Sequence, residues 1–207
     1  GSTSSAPTID GLISGGEWSD ANTYDISNPA AVSPENIESL YGIPLESILR
    51  KKGETVIPLA NDVTLYAMND GSHLYLAFDN PNDTTPNDYD QIGVYFDDNP
   101  LPSDGLWTNT VCDNPDGEGN FWVGVGWDEI YREIVAGPTY CAYITPAPGI
   151  VGQFGFGSGH AQAEIAMDLT SSALRAIAGD SINMYLWIRD ADTGVVQGQW
   201  PLSANYS

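Results

Sequence analysis

Apolar and polar residues alternate with a period of two in several short runs, each bounded by Gly, Asn, Asp or Pro. That period belongs to an extended strand, whose successive side chains face opposite sides of a sheet. In residues 74–79 the inward set is Leu74, Leu76 and Phe78; in 91–97 it is Ile92, Val94 and Phe96; in 182–189 it is Ile182, Met184, Leu186 and Ile188. A fourth run, 162–169, puts Ala163, Ile165, Met167 and Leu169 on one face and Gln162, Glu164 and Asp168 on the other, which predicts a polar outer face. Residues 63–68 run into Asn69-Asp70-Gly71 before the Leu74 strand, and Asp-Gly between two apolar runs predicts a hairpin because Gly accepts positive φ. Weaker strand patterns cover 121–127, 131–135 and 140–144, and Thr8-Ile9 is expected to join a sheet edge.

Helical spacing is confined to two places. In residues 34–52, Ile37, Leu40 and Tyr41, then Leu45, Ile48 and Leu49, recur around Gly42 and Pro44, which predicts a short helical insert, and residues 171–178 have room for one or two helical turns. The pattern therefore predicts an all-β fold, an antiparallel β-sandwich carrying that insert. A chain of 207 residues buries roughly 70% of its unfolded surface and supports one core, so residues 8–207 read as one domain and the Gly-Ser start of residues 1–7 as a tag and tether.

Parity also places aromatics opposite the core sets: Tyr75, Tyr95, Tyr185 and Trp187, with Tyr66 on the hairpin partner. Two readings stand. Either the insert packs over these rings and makes a second small core, or they form a platform on which sugar rings lay their C–H faces while tyrosine hydroxyls bond sugar hydroxyls.

Charge narrows the partners. Six Lys and Arg stand against 28 Asp and Glu, a formal net charge of -22. Nucleic-acid affinity comes largely from Lys and Arg neutralising phosphate, so nucleic acid and acidic substrates are excluded as partners. Cation binding and solubility in salty surroundings both fit such acidity. Cys112 and Cys141 lie 29 positions apart with no Cys-x-x-Cys and no neighbouring His, so the pair reads as a disulfide or as two separate buried thiols, not as a zinc set. A bridge closing about 30 residues contributes roughly 3 to 4 kcal/mol and would imply export. No stretch approaches the roughly 20 apolar residues of a membrane span, so membrane insertion is not expected; the disulfide reading carries the expectation of a secreted or cell-surface setting.

Thr8-Ile9-Asp10-Gly11-Leu12-Ile13 followed by Gly16-Glu17-Trp18-Ser19-Asp20-Ala21 is similar to the opening of family 9 carbohydrate-binding modules. Val63-Thr64-Leu65-Tyr66 through Asp70-Gly71-Ser72-His73-Leu74-Tyr75-Leu76-Ala77-Phe78 resembles their hairpin, and the runs from Asp90 to Asp97, from Ala163 to Leu169 and at Gln199-Trp200-Pro201 resemble later pieces in the same order. The resemblance spans most of residues 8–201, interrupted around 30–60 and in the Cys-bearing stretch. It implies a jelly-roll-like sandwich, frequent calcium, and ligands that range from sugar chain ends to b-type haem. Because the family clamps a sugar between tryptophans, Trp107, Trp122 and Trp127 become candidates beside Trp187, while Trp18 and Trp200 fall in the structural signatures and are expected in the core.

Calcium takes six to eight oxygens, which irregular acidic loops supply. The favoured cluster is Asp79, Asp83, Asp88 and Asp90, with Asn82 and Asn87 among them and Asp97 or Asp98 closing it; runs at 97–104 and 113–120 are further candidates. Catalysis is not expected. Glu164 and Asp168 are four apart on one strand face, roughly 13 Å and too far for either glycosidase geometry, and read as exposed strand carboxylates. His73 and His160 lack a nucleophile signature or metal-ligand spacing. A haem reading would draw on Met68, Met167 or Met184, of which the last two fall in core sets. The competing non-catalytic reading is a calcium-stiffened structural or adhesive surface domain with no sugar ligand.

Overall fold

The computed structural model describes residues 1–26, 63–87, 90–97, 119–125, 127–136, 139–144, 149–171, 181–190 and 195–205. Within them lie eleven strands: β1 (Asn22–Asp25), β2 (Thr64–Asn69), β3 (His73–Asn80), β4 (Gln91–Asp97), β5 (Gly119–Gly124), β6 (Trp127–Ala136), β7 (Thr139–Ile144), β8 (Ile150–Gly157), β9 (His160–Asp168), β10 (Ser181–Asp190) and β11 (Val195–Asn205). They pair antiparallel into a five-stranded sheet, β1-β2-β3-β9-β8, and a six-stranded sheet, β11-β10-β4-β5-β6-β7. The expected all-β sandwich is therefore observed. The predicted insert at 34–52 and the helical turns at 172–178 lie outside the described residues.

One apolar cluster joins the sheets. Leu65, Leu74, Leu76, Phe78, Ala163, Ile165 and Met167 from the five-stranded sheet meet Ile92, Val94, Val123, Leu186 and Ile188 from the other. These are the inward sets that alternation selects. The hairpin between β2 and β3 also follows the pattern: Gly71 has φ 89°, and Asp70 Oδ1 accepts from the Ser72 and His73 amides at 2.8 and 2.7 Å, closing the turn. The 121–127 run breaks in two at Val125, so Trp127 opens β6 instead of ending β5. Strands β1, β8 and β11 were not expected as elements. Pro201 falls within β11, an edge strand among the described residues, the position in a sheet where proline is best tolerated.

The outer face of the five-stranded sheet corrects two expectations. Residues 8–21 do not join an edge but lie across this face, where Ile9, Ile13, Trp18 and Ala21 pack with Tyr66, Met68, Tyr75, Ala77 and Ala166 as a second small core. Consequently the second face of β9 is not solvated: Glu164 is 0% exposed and Gln162 5%. Gly11, at φ 84°, is what lets the crossing segment come so close, because a Cβ there would stand 2.8 Å from the Phe154 carbonyl carbon. The first residues hydrogen-bond to β2. Strand β1 pairs with β2 only as far as Asn22↔Ala67, leaving backbone groups open beyond it. Thr3 N donates to Asn69 O at 2.8 Å, Asn69 N to Gly1 O at 3.0 Å, and the Gly1 amine to Ala67 O at 3.2 Å.

Candidate functional site

Inward Ile92 and Val94 leave Gly93 and Tyr95 on the outer face of the six-stranded sheet, and the register extends that face sideways. Trp187 stands opposite Gly93, Gly93 opposite Trp122, and Trp122 opposite Tyr131. One step along the strands, Tyr185 stands opposite Tyr95 and Tyr95 opposite Asn120. A glycine is thus flanked on both neighbouring strands by tryptophan, and two strand spacings separate those positions by about 10 Å. Gly93 is buried and Trp122 half-buried, so the position between the tryptophans is covered.

Tyr75 does not belong with them. It lies in the five-stranded sheet, 4% exposed within the small core under residues 8–21, so the five expected aromatics are divided between two sheets. Parity along a strand assigns a face but says nothing about which sheet the strand enters. Its hydroxyl donates to Asp70 Oδ2 at 2.7 Å, and burial together with that carboxylate pushes the phenol up to about 12. Trp127 stands opposite Gly124 at the start of β6, and Trp107 lies outside the described residues. Tyr131 was not singled out from the sequence, because only the pairing of β6 with β5 reveals that it continues the Trp122 row.

The expected calcium loop is partly visible. Asp79 is turned to the neighbouring strand, where its Oδ1 meets His160 Nε2 at 2.5 Å and accepts from Gln162 Nε2 at 2.8 Å. In the connection from β3 to β4, Asp83 and Asp90 are 3% and 0% exposed, and Asn80, the last residue of β3, is 0% exposed. Backbone bonds tie this connection to its surroundings: Ala161 N donates to Asp83 O at 2.8 Å, and Val125 N to Asp90 O at 3.0 Å, while Asp90 Oδ2 accepts from Asn87 N at 2.7 Å. Among the described residues no group of three or more His, Cys, Asp or Glu is disposed to hold a metal. Asp97 ends β4, opposite Asn183. Asp88, Asp98 and Cys112 lie outside the described residues, and Cys141 sits in β7 where the register with β6 slips.

Glu164 is fully buried, which corrects its reading as an exposed strand residue. Its Oε2 accepts from the Asp10 and Gly11 amides, both at 2.9 Å, and its Oε1 from Trp18 Nε1 at 2.8 Å. Burial pushes its pKa up against the downward pull of those three donors, and Glu17 adds to the rise. Gln162 Oε1 accepts from Ile13 N at 3.1 Å, so two side chains of β9 hold the crossing segment. Asp168, by contrast, lies at the strand end, held below its ordinary value by the Thr170 hydroxyl and amide, at 2.8 and 2.9 Å.

The hairpin turn gathers Ser72, His73 and Asp70 without making a relay. Ser72 Oγ lies 2.9 Å and Asp70 Oδ2 3.4 Å from the same ring nitrogen, His73 Nδ1, whereas general-base activation of a serine needs the acid and the nucleophile on opposite nitrogens. Partial burial works to raise Asp70, but hydrogen bonds from Tyr75, Ser72 and His73 outweigh it and hold that carboxyl well below the usual range. Met68 and Met167, 1% and 0% exposed, fill the small and the main core.

Neither a family profile nor a curated relative matches the sequence. Solved structures of similar architecture include a family 9 carbohydrate-binding module from Caldicellulosiruptor kristjanssonii in complex with glucose, at 12% identity and a TM-score of 0.46 over 96% of this chain and 80% of that one. The same organism's module in complex with cellotriose aligns at 13% identity and a TM-score of 0.47, covering 98% and 79%. A candidate carbohydrate-binding protein from Bacteroides uniformis aligns at 8% identity and a TM-score of 0.39, covering 69% and 68%. Likenesses this loose assign this chain neither a family nor a ligand.

Proposed function

We propose that this chain is a non-catalytic carbohydrate-binding module of a secreted or surface protein. The observation that supports it is the row in which Gly93 lies between Trp187 and Trp122 on the outer face of the six-stranded sheet. Aromatic residues side by side on one sheet face suit sugar C–H surfaces. Calcium is the proposed structural cofactor, with Asp83 and Asp90 as its first candidate ligands, because buried carboxylates in a tight connection are stabilised by a hard cation. A Cys112–Cys141 bridge belongs to the same exported setting.

Affinity electrophoresis and a glycan array test the reading. Sugar binding that Trp122→Ala weakens at least tenfold, with the melting temperature held, is the expected result. Failure to bind any glycan, together with calcium-dependent self-association, would replace it with the adhesive reading. For calcium, a thermal shift that rises with added ion and falls with chelator is expected, and an unchanged midpoint removes the cofactor.

A further inference from the structure

One long stretch of this acidic chain carries no charge. From Ile134 to Ala163 there is no Asp, Glu, Lys or Arg, the longest such run in a sequence with 28 acids and six bases, and the Glu164 that ends it is 0% exposed. The run contains β7 and β8, both edge strands among the described residues, and β8 packs across from β5 and β6, next to which β7 lies.

Edge strands present open N–H and C=O groups and ordinarily carry a charge, a proline or a bulge that turns other strands away. Strand β1 is four residues long and ends in Asp25, and β11 contains Pro201. Strand β8, Ile150 to Gly157, has none of these protections. It pairs with β9 over its whole length without a break in register, and the Ser158-Gly159 turn, at φ 54° and 86°, holds that hairpin tightly. The result is a straight edge about 27 Å long.

Its outer side is apolar as well. Ile150 and Phe154 face the main core, so Val151, Gln153, Gly155 and Gly157 face outward. Three large apolar side chains are exposed among the described residues, and two of them are here: Val151 at 58%, and Leu12 at 40%, whose Cδ2 would stand 3.1 and 3.4 Å from a Cβ at Gly155 and Gly157.

We propose that β8 pairs antiparallel with β8 of a second copy of this chain, joining two five-stranded sheets into one. Two observations favour a second copy over a foreign strand. A pairing centred on Phe154 sets Val151 opposite the second copy's Gly157, where no side chain stands and Leu12 lies alongside, so the two exposed apolar groups meet twice about one two-fold axis. In addition, chains of net charge -22 approach each other most readily where both surfaces lack acids, which this run provides. Neither observation depends on the sugar-binding reading.

Sedimentation equilibrium on the full chain from about 1 to about 500 µM, with hydrogen exchange followed at both ends of that range, tests it. One strand pair is a small interface, so a dimer with a Kd of about 10 to 100 µM is expected, tightening as salt screens the acids, and the amides of residues 150–157 should slow as it forms. Val151→Lys puts a charge at the joint from each copy and should weaken dimerisation at least tenfold with the melting temperature held; Leu12→Ser should weaken it about threefold. The wild-type concentration series stands should either variant fail to fold. A chain that stays monomeric at about 500 µM in about 0.5 M salt overturns the proposal, as does a dimer that Val151→Lys leaves intact. Slow exchange of residues 150–157 already in the dilute monomer means that the chain's own residues cover the edge, and also overturns it. So does a chain that never dimerises yet captures an added peptide of residues 150–157, since the edge would then accept a strand from some other partner.

Discussion

The two sheets share one core, yet their outer faces have different fates. On the five-stranded sheet, residues 8–21 cross the face, turning Trp18 and Tyr75 into a second core and enclosing Glu164 with three donors. On the six-stranded sheet the corresponding face carries a row of aromatic positions, set side by side by register and not crossed by that segment. Aromatic residues at the second parity of a strand give the same sequence signal in both. The difference teaches that the same signal serves cohesion where residues 8–21 cover the face, and that only strand order and register separate those residues from the candidates for ligand contact on the other sheet.

Removing the fastening of the covered face has the largest expected effect. Glu164→Ala leaves the Asp10 and Gly11 amides and the Trp18 indole N–H without their acceptor, at a cost of about 3 to 5 kcal/mol in denaturant unfolding. A loss below about 1 kcal/mol would mean that apolar packing alone holds residues 8–21. A paired substitution sharpens the contrast. Trp18→Phe keeps a buried ring but deletes the indole donor, costing about 1 to 3 kcal/mol with sugar affinity unchanged, whereas Trp122→Phe should change stability by less than about 1 kcal/mol while altering affinity. Equal stability losses from the two would erase the distinction between the faces.

Salt acts on both faces together. Because self-repulsion at a net charge of -22 opposes the compact state, raising sodium chloride from about 0.05 M to about 0.5 M should raise the melting temperature by a few degrees, followed calorimetrically. The smallest effect is that of acid on the hairpin. Asp70 is held below its ordinary value of 3.8 in the folded chain, so its contribution is present above that pH and is lost as pH falls through the folded value. Solvent screening keeps it small; Asp70→Asn should remove about 0.5 kcal/mol at neutral pH and flatten the acid limb of the stability curve. Glu164 has the opposite sign, since a raised folded pKa favours the protonated form and its ionisation costs stability as pH rises.

How much of this was legible depended on whether a signal was local. Alternation identified Leu76, Phe78, Val94, Ile165 and Leu186 as core, and Asp70-Gly71 marked the hairpin, because period-two burial and positive φ are properties of neighbouring residues. Trp18 was expected inside and is 5% exposed. Glu164 was misread as solvated, since its partners lie 146 to 154 positions away and no local pattern announces them. Tyr75 was grouped with Tyr95 and Trp187 for a similar reason: the strand pattern gives a face, and only pairing gives a sheet.

By itself, then, the sequence determined the class of fold, the inward residues of its strands, the turn that joins β2 to β3 and the strong net acidity of the chain. Each follows from chain geometry or composition, which need no long-range information. The tertiary structure alone decided that residues 8–21 cover one outer face and that Trp187, Gly93, Trp122 and Tyr131 fall in one row on the other. Both are outcomes of strand order and register, set by how the distant halves of the chain share one core.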